Sequence, residues 1–173
     1  MAGEITGETI KSSVSLTIKE LFKVSVGTPP VITYPKIYKE QVIEKASLPY
    51  FFVWILNEDT QKQRNNKYEL TYQMKIEYHP IDKLVGTYEA CSAIAHSLFE
   101  GVEYISVPIF LGHYTTPQIG DPVQIVEYLP VKGKQMNWII QDDILCFFVT
   151  YTIQATKVLA VIAKMATVKQ NYI

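Results

Sequence analysis

The chain has 173 residues, of which 48% are hydrophobic and 19% are charged. The 16 basic and 17 acidic residues leave a net charge of −1, and Arg64 is the only arginine. A nearly neutral chain argues against a free polyanion binder. The shortage of arginine argues against sequence-specific DNA recognition, because arginine is the side chain that most often binds phosphates and guanine edges. The length fits one domain with its own core, and the shortage of charge favours burial against partners.

No targeting segment is visible in the sequence. Residues 1–10 have neither a basic region nor a hydrophobic stretch, and the longest apolar runs, 50–56 and 158–163, are far shorter than the roughly 20 residues that span a bilayer. Cys91 and Cys146 each lie inside an apolar run. We interpret them as small buried thiols, with one disulfide left open, in a soluble protein made in a cytoplasm.

The predicted elements begin with a helix over Ser12–Lys23, where apolar residues recur on one face. After a Gly- and Pro-rich break, Val31–Tyr34 is extended and Tyr38–Ile43 is a short strand. Tyr50–Leu56 is a continuous apolar and aromatic run. Such a run predicts a strand buried on both faces.

A polar segment and the clearest strand of the sequence come next. Asn57–Lys67 contains no hydrophobic residue, and we predict an exposed loop too long for a tight hairpin turn. From Tyr68 to Tyr78, apolar or aromatic residues alternate with polar ones. This alternation predicts a strand with one covered face and one polar face.

The second half repeats the order of helix and then strands. Lys83–Phe99 shows a helical apolar stripe, with Gly101 as its C-terminal cap. The later segments are a short strand and loop within Val102–Asp121, strands over Val123–Tyr128, Gln135–Ile140 and Ile144–Ile153, and a short helix or extended arm over Val158–Val168. We expect an α+β domain whose largely antiparallel or mixed sheet carries two main helices on one face.

Chemical motifs are mostly missing. Cys91 lies on the apolar stripe of a helix, where a structural thiol is expected, and His79, His96 and His113 have no companions at metal-ligand spacing. The adjacent Asp142 and Asp143 indicate a turn, because catalytic carboxylates must converge from different elements. We therefore predict no enzyme, no metal and no cofactor.

The polar segment Asn57–Lys67 is the candidate contact site. It is long, mixed in charge and carries the only arginine, and long loops on rigid strands are favoured for binding. A solvated hairpin end is the alternative. The residues expected to contact a partner are Asn57, Glu58, Asp59, Lys62, Arg64 and Lys67.

Two segments carry a resemblance to a known family. In the first, residues 49–80, a strand begins at Pro49 and Phe51, a polar segment contains Asn57, and an aromatic alternating strand ends at Tyr78 and Pro80. In the second, an acidic turn precedes a strand with Leu145, Phe147, Val149 and Tyr151. In this order, and with an amphipathic first helix, they resemble the tail terminator proteins of phages and phage-like particles in Gram-positive bacteria.

The resemblance implies a structural role in a virion at the junction of tail and neck. Such proteins form a six-membered ring on the last ring of the tail tube, stop its polymerisation and offer a surface to neck or head-completion proteins. In contractile particles the ring also holds the sheath, and DNA crosses the lumen without being read. The expected organisation is an N-terminal arm over 1–9, the terminator-like domain over 10–157 and a C-terminal tail or arm over 158–173.

Other function classes remain open at this stage. The chain could be another neck or head–tail connector protein, which its position in the particle would reveal. It could also be an enzyme or small-ligand-binding α+β domain, which needs a deep pocket with convergent polar groups. A free nucleic-acid binder is disfavoured by the charge balance.

Overall fold

The computed structural model describes residues 5–40, 46–64, 67–81, 87–110 and 125–156. They form two α-helices, a two-stranded sheet and a six-stranded sheet. In chain order the elements are α1 (Gly7–Leu21), β1 (Val24–Val26), β2 (Val31–Thr33), β3 (Lys36–Tyr38), β4 (Tyr50–Lys62), β5 (Lys67–His79), α2 (Thr87–Gly101), β6 (Tyr104–Phe110), β7 (Ile125–Gln141) and β8 (Ile144–Thr156).

The large sheet has the strand order β3-β4-β5-β8-β7-β6. The short β3 runs parallel to β4, and every other neighbouring pair is antiparallel. The predicted α+β class with a largely antiparallel, mixed sheet is confirmed. The separate sheet consists only of β1 and β2, which pair antiparallel.

The core lies on one face of the large sheet, beneath both helices. The central strands β5 and β8 place Tyr72 opposite Tyr151 and Ile76 opposite Phe147, and these four side chains are buried. The alternation from Tyr68 to Tyr78 therefore identified the covered face correctly. The helices contribute Ile10, Val14 and Ile18 from α1, and Cys91, Ala95 and Leu98 from α2.

The position of α1 shows how strongly the sheet curls. This helix packs against both β4 and β6, although three strands separate those two in the sheet. The helix begins at Gly7, five residues before the predicted start at Ser12, because Thr6 caps it. The Thr6 hydroxyl accepts a hydrogen bond from the Thr9 backbone N–H at 3.3 Å, within a capping box. The prediction followed the apolar stripe and missed this polar cap.

The predicted loop over Asn57–Lys67 is wrong for most of its length. Strand β4 continues to Lys62, paired with Tyr68, so that only residues 63–66 connect it to β5. Backbone pairing to β5 holds the strand regardless of its polar side chains. A run without apolar residues therefore resembled a loop. The predicted burial of the first half on both faces holds for Tyr50–Val53.

The strands predicted over Val123–Tyr128 and Gln135–Ile140 are one strand, β7. Its first part pairs with β6 and its last part with β8, and the change of partner occurs at Gly133. The Gly133 N–H donates to the Glu103 carbonyl at 2.7 Å, and a β-carbon there would lie 2.8 Å from Val149. Gln135, with φ of 52°, lies in an irregularity of register that bends the strand. Pro130 is tolerated because this part of β7 pairs on one side only.

Several other predictions can be compared with the structure. Val31–Tyr34 is confirmed as extended through β2, whereas the strand predicted over Tyr38–Ile43 is instead β3, and residues 41–45 lie outside the described ranges. Helix α2 and strand β6 fall within the segments predicted for them, apart from the last helical turn, and residues 82–86 and 111–124 lie outside. Asp142 and Asp143, with φ of 52° and 62°, form the turn between β7 and β8 as predicted. The predicted element Val158–Val168 also lies outside.

Candidate interaction surfaces

Within the described residues, no group of His, Cys, Asp and Glu side chains could hold a metal ion. His79 stacks on Tyr50 with ring centroids 4.3 Å apart, and His96 lies edge-on to Trp138. Cys91 and Cys146 are free and buried, and burial raises the pKa of both thiols. Since a raised pKa disfavours the reactive thiolate, both act as packing residues. His113 lies outside the described ranges.

The first exposed surface is the outer half of the β4–β5 hairpin, here called the polar ribbon and defined as Asn57–Lys62 paired with Tyr68–Gln73. Every residue of its β4 side is exposed. Gln63 steadies the connecting turn, because its side-chain amide donates to Glu69 at 2.6 Å and its backbone N–H donates to the Lys67 carbonyl at 2.7 Å. The ribbon is thus an ordered projection of the sheet.

Four of the six predicted contact residues lie within this ribbon, and the other two lie at the turn that closes it. Asn57 and Asp59 pair with Gln73 and Thr71, whereas Glu58 and Lys62 pair with the helix-side residues Tyr72 and Tyr68. Strand alternation therefore divides these four between two faces. Arg64 lies in the turn and Lys67 begins β5; both are exposed.

The second surface is the valine hairpin, defined as β1, β2 and their turn, Gly27–Pro30. All six of its strand residues are exposed. Val24 and Val26 lie opposite Thr33 and Val31, so these four side chains share one face. No charged residue occurs between Lys23 and Lys36. The hairpin therefore presents an apolar face to solvent.

The third surface is a groove between α1 and the strands β6 and β7, with a volume of about 540 Å³. Helix α1 lines it with Ser13, Leu16, Thr17, Glu20 and Leu21, and the opposite wall includes Gly101, Ser106 and Tyr128. Leu16 and Tyr128 are 60% and 57% exposed. The groove is open and mainly apolar.

The face of the large sheet opposite the helices combines aromatic rings with an ion-paired cluster. Phe52 packs on Trp54 with centroids 4.2 Å apart, and Trp54 remains 43% exposed. On β5, the Glu77 carboxylate lies 2.7 Å from Lys75 Nζ and 3.1 Å from His79 Nε2. Burial by itself would raise the pKa of Glu77, but these two partners outweigh it and hold that pKa below its ordinary value.

The comparison with known families decides between the classes of function left open by the sequence. Residues 9–160 match the family described as phage tail terminator protein. The chain belongs to this family. The match includes α2, all eight strands and most of α1, and the resemblance inferred from the sequence is confirmed. No curated protein matches the chain.

A tail terminator chain is a structural component of the virion that acts in tail completion, beside other tail and neck components. Such a protein acts through contact surfaces, and the candidates are the polar ribbon, the valine hairpin and the groove. Within the described residues, neither helix is long and apolar enough to cross a membrane.

Sequence reasoning found only one of the three surfaces. The polar ribbon was found through its charges. The valine hairpin was missed, although Val24 and Val26 alternate around Ser25 and are followed by a turn that contains Gly27 and two prolines. The groove could not be found, because its walls come from segments far apart in the chain.

Proposed function

We propose that this chain forms a six-membered ring on the last ring of the tail tube, stops tube polymerisation and offers a surface to the neck or head-completion protein. In a contractile particle the same ring would also hold the end of the sheath. The observation that carries the proposal is the family match over residues 9–160, which contains nearly every described element.

The surfaces and the charge of the chain support this role. A ring subunit needs separate contacts for its neighbours in the ring, for the tube and for the neck, and the chain exposes one polar and two apolar surfaces. DNA would pass through the lumen without sequence recognition. A net charge of −1 and a single arginine agree with this, since each neutralised phosphate adds salt-dependent affinity that would hinder passage. A structural role of this kind involves no catalysis and no cofactor.

Particles made without this chain provide the direct test of the proposal. We expect tubes of uncontrolled length that fail to join heads, and normal tails when the chain is supplied in trans. Electron microscopy of complemented particles should show one ring of this chain between tube and neck. Joined tails of normal length in its absence, or a long helical stack of the chain, would contradict the proposal.

The polar ribbon is proposed as the contact to the tube ring or to an adjacent subunit. Its mixed charges can select a partner and an orientation more than they supply affinity. Arg64 is the best single candidate, because it is exposed in the turn and its planar group can bind a carboxylate through two hydrogen bonds.

Arg64→Glu should therefore reduce the yield of head-joined tails at least tenfold while changing the free energy of unfolding by less than about 0.5 kcal/mol. The matched control is Lys19→Glu, which reverses an exposed charge on α1. Equal tail yields for wild type and Arg64→Glu would leave the ribbon as a solvated hairpin end.

A further inference from the structure

The valine hairpin exposes an apolar face that nothing within the described residues covers. Val24, Val26 and Val31 lie on this face and are 56%, 60% and 65% exposed. A two-stranded hairpin is at best marginally stable in water, and only a third strand or a packed face makes it persist. The hairpin is therefore built to be completed by another surface.

The groove on the same chain is a receptor of matching chemistry. Leu16, Leu21 and Tyr128 give it apolar walls, and its volume of about 540 Å³ is enough for several side chains. Among its described lining residues the charged one is Glu20, which is already paired with Lys23 at 2.7 Å. An uncharged hairpin would meet no unpaired charge there.

Helix α1 has different neighbours on its two flanks. On one flank, Lys11 and Ser12 hydrogen-bond to Lys39, which directly follows β3, and Phe22 stacks on Phe51 of β4 at 5.0 Å. These contacts anchor the hairpin at both of its ends. The groove residues of α1 recur at spacings of three and four on the other flank, facing β6 and β7.

We propose that the valine hairpin of one subunit seats its Val24–Val26–Val31 face in the α1–β6–β7 groove of the next copy of this chain. Both surfaces are mainly apolar, and within the described residues neither is filled. Such a head-to-tail contact is heterologous, and it closes into a ring when the rotation between subunits permits. The inference rests on the proposed ring and names the contact that builds it.

The size of the contact predicts when it forms. A stable interface between proteins uses roughly 20–30 residues on each side, whereas the hairpin strands offer six. The contact alone therefore fixes the register between neighbours without sustaining a ring in dilute solution. Closure is expected where the tube holds the subunits together.

Disulfide trapping in assembled tails tests this contact. The variant carries Val26→Cys and Leu16→Cys, both at exposed positions, while the native Cys91 and Cys146 are buried. Oxidation should link chains in a ladder from dimer to hexamer on a non-reducing gel, because each chain is linked at two separate points. The matched control replaces Val26→Cys by Ser25→Cys, which lies on the other face of the hairpin. It should give less than a tenth of the linked product.

Each other outcome has a distinct meaning. Products that stop at the dimer indicate a reciprocal exchange of hairpins and overturn the head-to-tail contact. A ring visible at the tail end without linkage, or linkage equal to that of the Ser25→Cys control, overturns the hairpin contact and leaves the proposed function standing. Normal, joined tails in particles that lack the chain overturn the proposed function itself. Replacing Val26 by a photo-cross-linking amino acid that captures only the tube protein would also overturn the contact between copies.

Discussion

The polar ribbon and the valine hairpin are both exposed antiparallel pairs, yet they are stabilised in different ways. The ribbon continues two strands of the large sheet, and β8 pairs along its β5 side as far as Thr156. Within the described residues the valine hairpin has no third strand, and its ends lead into Phe22, which stacks on Phe51, and into β3, which pairs with β4. The ribbon is therefore stable without a partner, whereas the hairpin gains its stability from one.

The difference also concerns what an exposed residue signifies. Polar side chains along the ribbon are favourably solvated, so their exposure by itself indicates nothing about a partner. Three exposed valines on one small face are unusual for a free surface and point to an interface. The valine hairpin, which is the less conspicuous segment of the sequence, therefore provides the stronger structural argument for binding.

The largest effect on stability is expected where the strands of the ribbon continue into the buried core. Ile76 is fully buried opposite Val53 and Phe147, so Ile76→Ala should lower the free energy of unfolding by about 2–5 kcal/mol. Gln73→Ala, three residues away on the exposed face, should change it by less than about 0.5 kcal/mol. Urea unfolding measures both. Equal losses of unfolding free energy in the two variants would mean that burial of Ile76 does not stabilise these strands.

A smaller effect is expected at the anchor of the valine hairpin. Phe22 is partly buried and stacks on Phe51, so Phe22→Ala should cost about 1–3 kcal/mol. Amide hydrogens of Val24–Thr33 should then exchange faster, while those of the ribbon keep their rates. Leu16→Ala, at an exposed position, serves as the control. Unchanged exchange in the hairpin would show that Phe22 does not hold it.

The smallest effect on stability is expected for Glu77, whose charge is paired and which lies on β5 just beyond the ribbon. The pKa of Glu77 is held below its ordinary value of 4.5, so its contribution is fully present above pH 4.5 and is lost as the pH falls through the folded-state pKa. Glu77→Gln should lower stability by less than about 1 kcal/mol at pH 7, and the difference from wild type should shrink at lower pH.

Thermal unfolding at a series of pH values measures this difference. Lys75→Gln, which removes the partner 2.7 Å from the Glu77 carboxylate, should reproduce the loss at pH 7. A difference that stays constant from pH 7 down to acid would show that the ion pairs contribute nothing.

Local patterns of the sequence predicted the parts of the fold that depend on local chemistry. The alternation from Tyr68 to Tyr78 specified the buried face of β5, and Asp142–Asp143 specified a tight turn. Where backbone pairing overrides side-chain character, the prediction was wrong, as in the polar half of β4 and at Pro130 within β7. Both strands are held by neighbours that no local pattern reveals.

For the candidate contact residues, the sequence predicted exposure but not arrangement. Asn57, Glu58, Asp59 and Lys62 are exposed as expected, yet the strand assigns them alternately to two faces. The groove depends on Leu16 approaching Tyr128, a pair separated by most of the fold. Such surfaces follow from tertiary packing, which a single sequence read locally does not contain.

The strand order also dictates the sequence of events during synthesis. Helix α1 is synthesised before the strands, but it packs against β6. The central strand β5 lies between β4 and β8, so it is paired on both sides only after β8, the last described strand, has been made. A helix of this length is marginal by itself, so the stripe of Ile10, Val14 and Ile18 stays open to water until late. Folding of the large sheet therefore depends on the long-range pairing of β5 with β8, and such pairing is slow to form. Under the proposed function, a newly made subunit would cap a tube only after the whole sheet has closed.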